Sequence, residues 1–136
     1  MAAKFRFNTS GLSANIRQIL NDRPAAARRA MNAVGGYLNG ESKDLCPVDE
    51  GFLTSEISNK TVVNPKSYAA VIYVPQNGQS ASYAIAMHEN HYNIGKNSRL
   101  KQRKVGKIIG RKFITRALDA NVKEIKSIIK SELEIK

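Results

Sequence analysis

The sequence has no tryptophan and a single cysteine, with two histidines and four prolines among its 136 residues. One cysteine rules out an internal disulfide and a cysteine-rich zinc site. Cys46 sits between Leu45 and Pro47-Val48, the setting of a small apolar core residue; the alternative, a nucleophile, needs a partner base. No apolar run approaches the ~20 residues that cross a bilayer, so no membrane partner is expected. Met1-Ala2-Ala3-Lys4-Phe5-Arg6-Phe7 has no continuous apolar stretch of the signal-peptide kind, which leads to the expectation of a cytoplasmic protein. A glycine-rich nucleotide loop, a nucleophile elbow and zinc-ligand spacing are all missing, so no cofactor or metal is expected.

What the chain does have is apolar content and positive charge. Its 42% hydrophobic residues suffice for a core, and its length suits one domain, residues 1–136. The formal net charge is +11, from 22 Lys and Arg against 11 Asp and Glu. A charge of that size suggests an acidic partner: nucleic acid, an anionic membrane or an acidic protein surface.

The pattern along the chain predicts an α+β fold. Residues 4–7 alternate polar and apolar, hinting at a short strand or, within residues 1–10, a flexible arm. Leu12, Ile16, Ile19 and Leu20 recur at helical spacing up to Asn21-Asp22. A second helix starts with Asp22 as N-cap and Pro24 in the first turn, where a missing N–H costs nothing. Its apolar stripe is Ala27, Ala30, Met31, Val34, Leu38 and Leu45, and Pro47 ends it. Gly35, Gly36 and Gly40 read either as a kink or as small residues that let another backbone come close.

Thr61–Val63 and Tyr68–Val74 are rich in β-branched and aromatic residues and flank the turn Asn64-Pro65-Lys66-Ser67, which predicts an antiparallel hairpin. Residues 81–89 mix both periods and are read as a short helix. Residues 90–110 offer few core candidates and are read as a long basic loop, 91–110. From Arg111 onward Ile114, Ala117, Leu118, Val122, Ile125, Ile128, Ile129 and Leu133 keep one helical stripe, predicting a long C-terminal helix. The expected architecture is N-terminal helices and this long helix packed on a small antiparallel sheet.

Between Lys96 and Lys112 stand eight cations and no acid: Lys96, Arg99, Lys101, Arg103, Lys104, Lys107, Arg111 and Lys112. They are the candidate partner-binding residues, gripping phosphates or an acidic protein face, against the plainer reading of a solvated loop. No aromatic residue is interleaved, so base stacking is unsupported. His88 and His91 share a helical spacing, but the His-Glu-x-x-His pattern and a third ligand are missing. His88 and Glu89 are better read as hydrogen-bonded within a packed corner. No catalytic residues are assigned and no enzyme is expected; a hydrolase built on Asp49, Glu89 or His88 is the weakest reading.

Three ordered segments carry a resemblance: Leu45-Cys46-Pro47-Val48-Asp49-Glu50-Gly51-Phe52-Leu53, Ser82-Tyr83-Ala84-Ile85-Ala86-Met87-His88-Glu89, and Gly110-Arg111-Lys112-Phe113-Ile114-Thr115-Arg116-Ala117-Leu118. From about Ala25 to Ala120 this layout resembles the tail-completion (head–tail joining, or neck) proteins of long-tailed bacteriophages. Their pattern is P-V-D-T-G-x-L-R, then Y-A-x-x-x-H-E followed by Gly, then K-F-L-x-x-A-L. Here Glu50 stands for the usual Thr, Ser55 lies near the usual Arg, and Asn90 replaces the Gly.

The matching residues are Pro47, Val48, Asp49, Gly51, Leu53, Tyr83, His88, Glu89, Phe113, Ala117 and Leu118, and all are read as fold determinants. Pro47 and Gly51 bracket a rigid turn, Asp49 caps a backbone amide, and Leu53 anchors the core. Tyr83, His88 and Glu89 fix the corner before the loop, while Phe113, Ala117 and Leu118 seat the last helix on the sheet. The resemblance implies a structural virion protein, made in the host cytoplasm and forming a ring at the head–tail junction, six-fold favoured over twelve-fold. Its partners would be other copies of itself, the tail terminator or tail-tube protein, the head connector or stopper proteins, and DNA in the lumen. The alternative is a small nucleic-acid-binding protein using residues 96–112.

Overall fold

The computed structural model of the chain describes residues 4–8, 18, 21–65 and 67–133. Strand β1 (Lys4–Asn8) precedes helix α1 (Pro24–Leu45), the short helix α2 (Phe52–Glu56) and strands β2 (Ser58–Asn64) and β3 (Ser67–Tyr73). Helices α3 (Ala84–Glu89), α4 (Lys96–Val105), α5 (Phe113–Ala120) and α6 (Val122–Glu132) complete an α+β fold.

Helix α1 follows from its sequence. Pro24 lies in the first turn, and the whole stripe Ala27, Ala30, Met31, Val34, Leu38 and Leu45 is buried. Cys46, fully buried and extended, breaks the helix ahead of Pro47. Burial pushes its thiol pKa up to about 11, although the Thr54 hydroxyl and the charge on Lys101 pull it down. The N-cap is Arg23, not Asp22, whose carboxylate accepts a hydrogen bond from Gln18 Nε2 at 3.2 Å. Arg23 reaches across to the Leu133 carbonyl at 2.9 Å. The glycines do not interrupt the helix. At Gly35 a Cβ would lie 2.9 Å from Asn59 Nδ2, so the close approach is made by a side chain and not by another backbone.

The hairpin forms as predicted, with Asn64 opposite Ser67 and Ser58 opposite Tyr73. β3 is central in the order β1-β3-β2, because β1 pairs along its other side, from Lys4 opposite Tyr73 to Asn8 opposite Ala69. Residues 4–8 are therefore strand and not a free arm. Tyr68 through Ile72 are all buried, and of these Tyr68, Ala70 and Ile72, on one face of the strand, belong to the main core. Of the first expected helix, Leu12, Ile16, Ile19 and Leu20 lie outside the described residues; Asn21 and Asp22 at its end are helical.

Helix α1 is the middle layer, with β2 and β3 on one side and α5 and α6 on the other. Phe113 and Ala117 are buried and Leu118 packs against the core, but α5 seats chiefly on α1 and far less on the sheet, where it meets β1. The single C-terminal helix of the sequence reading is two helices. Asn121 separates them: its Nδ2 donates to the Ala117 carbonyl at 2.7 Å, and its Oδ1 accepts from the Tyr37 hydroxyl at 2.8 Å. An asparagine side chain bonded to backbone competes with helix continuation. Val122, counted in the stripe, is consequently exposed.

Candidate functional site: the His88 corner and the basic helix

The largest departure from the sequence reading lies in residues 91–110, where the expected loop contains helix α4. Lys, Arg, Leu and Gln are good helix formers, and Gly106 in the left-handed region (φ 70°) ends the helix with its N–H on the Gln102 carbonyl at 3.0 Å. Its inner face is polar. Ser98 Oγ accepts from the Val48 N–H at 2.8 Å and donates to the Val48 carbonyl at 3.1 Å. Gln102 Oε1 accepts from the Ile109 N–H at 2.9 Å, and Asn97 Nδ2 donates to the Asp49 carbonyl at 3.0 Å. Lys101 donates to the Lys43 carbonyl and, at 2.7 Å, to that of Cys46. It brings a charged donor to two carbonyls where α1 ends, that of Lys43 also taking the Cys46 N–H at 3.4 Å.

These contacts divide the eight candidate cations. Lys101 is turned inward, and burial lowers its pKa against the pull of Cys46 and Asp44. Lys107 pairs with Glu41 at 3.0 Å and Asp44 at 3.6 Å, and the Glu41 hydrogen bond raises its pKa. Arg111 donates to the Glu89 carbonyl at 3.0 Å, and Lys112 pairs with the Glu89 carboxylate. Lys96, Arg99, Arg103 and Lys104 stay exposed on α4 and meet no carboxylate among the described residues. Arg99 donates to the Ile94 carbonyl at 2.9 Å.

The second part of the site is the corner at His88. The imidazole is fully buried, with its Nε2 3.5 Å from the Thr115 N–H and its Nδ1 3.4 Å from Glu89 Oε1. Burial lowers its pKa, and the Glu89 contact only partly opposes this. The hydrogen bond from Lys112 is the main cause of a depressed Glu89 pKa. The His88 carbonyl accepts from the Lys112 N–H at 2.6 Å, where Lys112 itself turns through φ 58°. His88 and Glu89 do come together at this corner, as a 3.4 Å contact. His91 is exposed, and among the described residues no group of His, Cys, Asp and Glu is placed to hold a metal.

Other motif residues divide between core and surface. Pro47 and Leu53 are buried, and Gly51 takes φ 89°, a left-handed value that favours glycine. Asp49 is exposed and contributes its backbone carbonyl, not a capping carboxylate. Tyr83, 38% exposed, leads into α3 without fixing the corner. Tyr92 does that work, donating to the Met87 carbonyl at 2.6 Å, and burial pushes its pKa up to about 12. Nothing in the residue pattern marked Tyr92, because its partner, five residues back, is a backbone carbonyl and carries no side-chain signal.

Residues 47–53, Gln79, Tyr83, Met87 and residues 92–98 enclose a groove of about 720 Å³. Phe52 and Tyr83 give it an apolar wall; Asp49, Glu50 and Lys96 bring both signs of charge. Comparison of the chain with protein-family models, curated proteins and solved structures returns no match.

Proposed function

We propose that the chain is a structural protein of the phage neck, assembling as a ring that completes the tail or joins it to the head connector. One observation carries this reading. The three segments that hold the resemblance meet at a single corner, although far apart in sequence. The Gly110 N–H reaches the Leu45 carbonyl at 3.2 Å, and the Lys112 N–H reaches the His88 carbonyl. The Phe113 ring packs on His88. Segments that depend on one another in this way explain why their order and spacing form a pattern.

In this reading the chain works by docking. Copies associate head to tail, since a closed ring other than a two-fold dimer uses two different patches of each subunit. The 720 Å³ groove beside the corner offers a recess to a neighbouring copy or to the tail terminator, tail-tube or connector proteins. Six-fold symmetry is favoured over twelve-fold, and the protein resides in the virion after assembly in the host cytoplasm. The test is direct: proteomics and cryo-electron microscopy of purified particles of the phage encoding it. The expected result is a ring of this chain at the neck, from subunits that are monomeric or weakly associated alone. Its absence from purified particles sinks the reading.

A further inference from the structure

Helix α4 breaks an electrostatic rule that α6 obeys. α6 carries Glu124 in its first turn and Lys130 in its last, matching the helix dipole. At its N-terminus α4 has no acid in the first turn and Lys96 stands at the positive end of the dipole, although Arg103 and Lys104 in the last turn match the dipole. Arg99 and Arg103, four residues apart, repel each other across one turn. The arrangement opposes helix stability, yet α4 is anchored at several points along its inner face, by Ser98, Lys101 and Gln102. Where a local rule is broken and the surroundings compensate, a functional surface is the expected reason.

We infer that the outer face of α4, formed by Lys96, Arg99, Arg103 and Lys104, binds the phosphate backbone of a nucleic-acid duplex without reading its sequence. From Lys96 to Arg103 the helix rises about 10 Å, a length that matches a few consecutive phosphates along one strand. The uncapped amides of the first turn add partial positive charge at the Lys96 end. The face holds one exposed apolar residue, Leu100, and no aromatic. Protein interfaces need an apolar or aromatic centre depleted of charge, and single strands need stacking platforms. A duplex backbone needs only placed cations, and phosphate contacts position without specifying sequence. Lys101 is turned inward, Lys107 and Lys112 are paired with carboxylates, and Arg111 lies beyond α4 on the Glu89 carbonyl, so these four take no part. Arg99 keeps its exposed place on α4 while bonding the Ile94 carbonyl.

The test titrates a short labelled DNA duplex of arbitrary sequence with the full chain between about 50 and 200 mM salt. Four phosphate contacts give a slope of about −3.6 in log affinity against log salt. The double variant Lys96→Gln/Arg103→Gln flattens that slope by about 2 and weakens binding about tenfold or more at low salt. It keeps a Tm close to that of the parent, since the repulsion relieved within α4 offsets the loss of Arg103 from the last turn. The variant Lys123→Gln/Lys126→Gln removes the same charge from α6 and changes affinity by less than about threefold. Three results each overturn the inference: no binding at low salt, equal loss in both double variants, or tighter binding to poly-glutamate or phosphatidylserine vesicles than to duplex. The inference is independent of the ring. A chain absent from virions that still binds duplex through α4 would remove the ring reading and leave this one standing.

Discussion

The His88 imidazole stands edge-on to the Phe113 ring, with centroids 4.9 Å apart and planes at 75°. The contact joins the end of α3 to the start of α5 and holds the imidazole away from water, so the neutral form is favoured in the folded chain. In the unfolded chain His88 takes up a proton near pH 6.5. A pKa lowered by folding means that the unfolded state binds more protons between the two values. The stabilisation is complete above about pH 6.5 and is lost as pH falls towards the folded value. Tm should therefore drop between about pH 7 and 5, and His88→Gln should lose part of that slope. Identical slopes in the two proteins would contradict the assignment. Glu89, whose pKa is depressed, loses its own contribution at lower pH, as it protonates below the ordinary carboxylate range.

Lys101 ties two helices together, with its ammonium on carbonyls at the end of α1. Lys101→Met keeps the stem and removes the donors, leaving those carbonyls without their charged partner. We expect a loss of about 1–3 kcal/mol in urea unfolding. Backbone amides of residues 96–105 should exchange faster, because α4 has lost an anchor. An unchanged exchange rate would show that Ser98 and Gln102 suffice.

Glu56 holds the loop after β3, accepting from the Gln79 and Ser80 N–H groups at 2.9 and 2.7 Å. Hydrogen bonds from Ser80 are the main reason its pKa is lowered. A Cβ at Gly78 would lie 2.0 Å from Glu56 Oε2, so Gly78→Ala must push the carboxylate off these amides. Gly78→Ala should lower Tm by roughly 2–6 °C. In a Glu56→Ala background the same substitution should have little further effect, since the two share one interaction. Additive Tm shifts would refute this coupling.

Three glycines of α1 should respond with different signs. Gly36 and Gly40 have open space where a Cβ would stand, so alanine at either should stabilise by about 0.5–1 kcal/mol. Gly35→Ala gains the same helix propensity but displaces Asn59, which accepts a 2.8 Å hydrogen bond from Asn39. Its net effect should be neutral or destabilising. Urea unfolding of the three single variants decides the matter, and equal stabilisation at all three positions is the outcome that fails.

The sequence alone determined those parts of the fold whose signal is local. The α1 stripe, the proline that stops it, the β2–β3 hairpin and the burial of Cys46 rest on periodicity, β-branched content and turn residues within a few positions of one another. Three features were decided only by tertiary structure. α4 docks through Ser98, Lys101 and Gln102, so it shows no apolar stripe for a sequence reading to find. The break at Asn121 interrupts a stripe that reads as continuous; its side chain bonds the Ala117 carbonyl and also accepts from the Tyr37 hydroxyl, 84 residues away. The same holds for the basic segment. Its eight cations look equivalent along the chain, but carbonyls and carboxylates from α1 and α3 engage four of them and leave four facing outward on α4. Charge is a property of the sequence; which charges remain available depends on long-range partners that only the folded chain brings within hydrogen-bond distance.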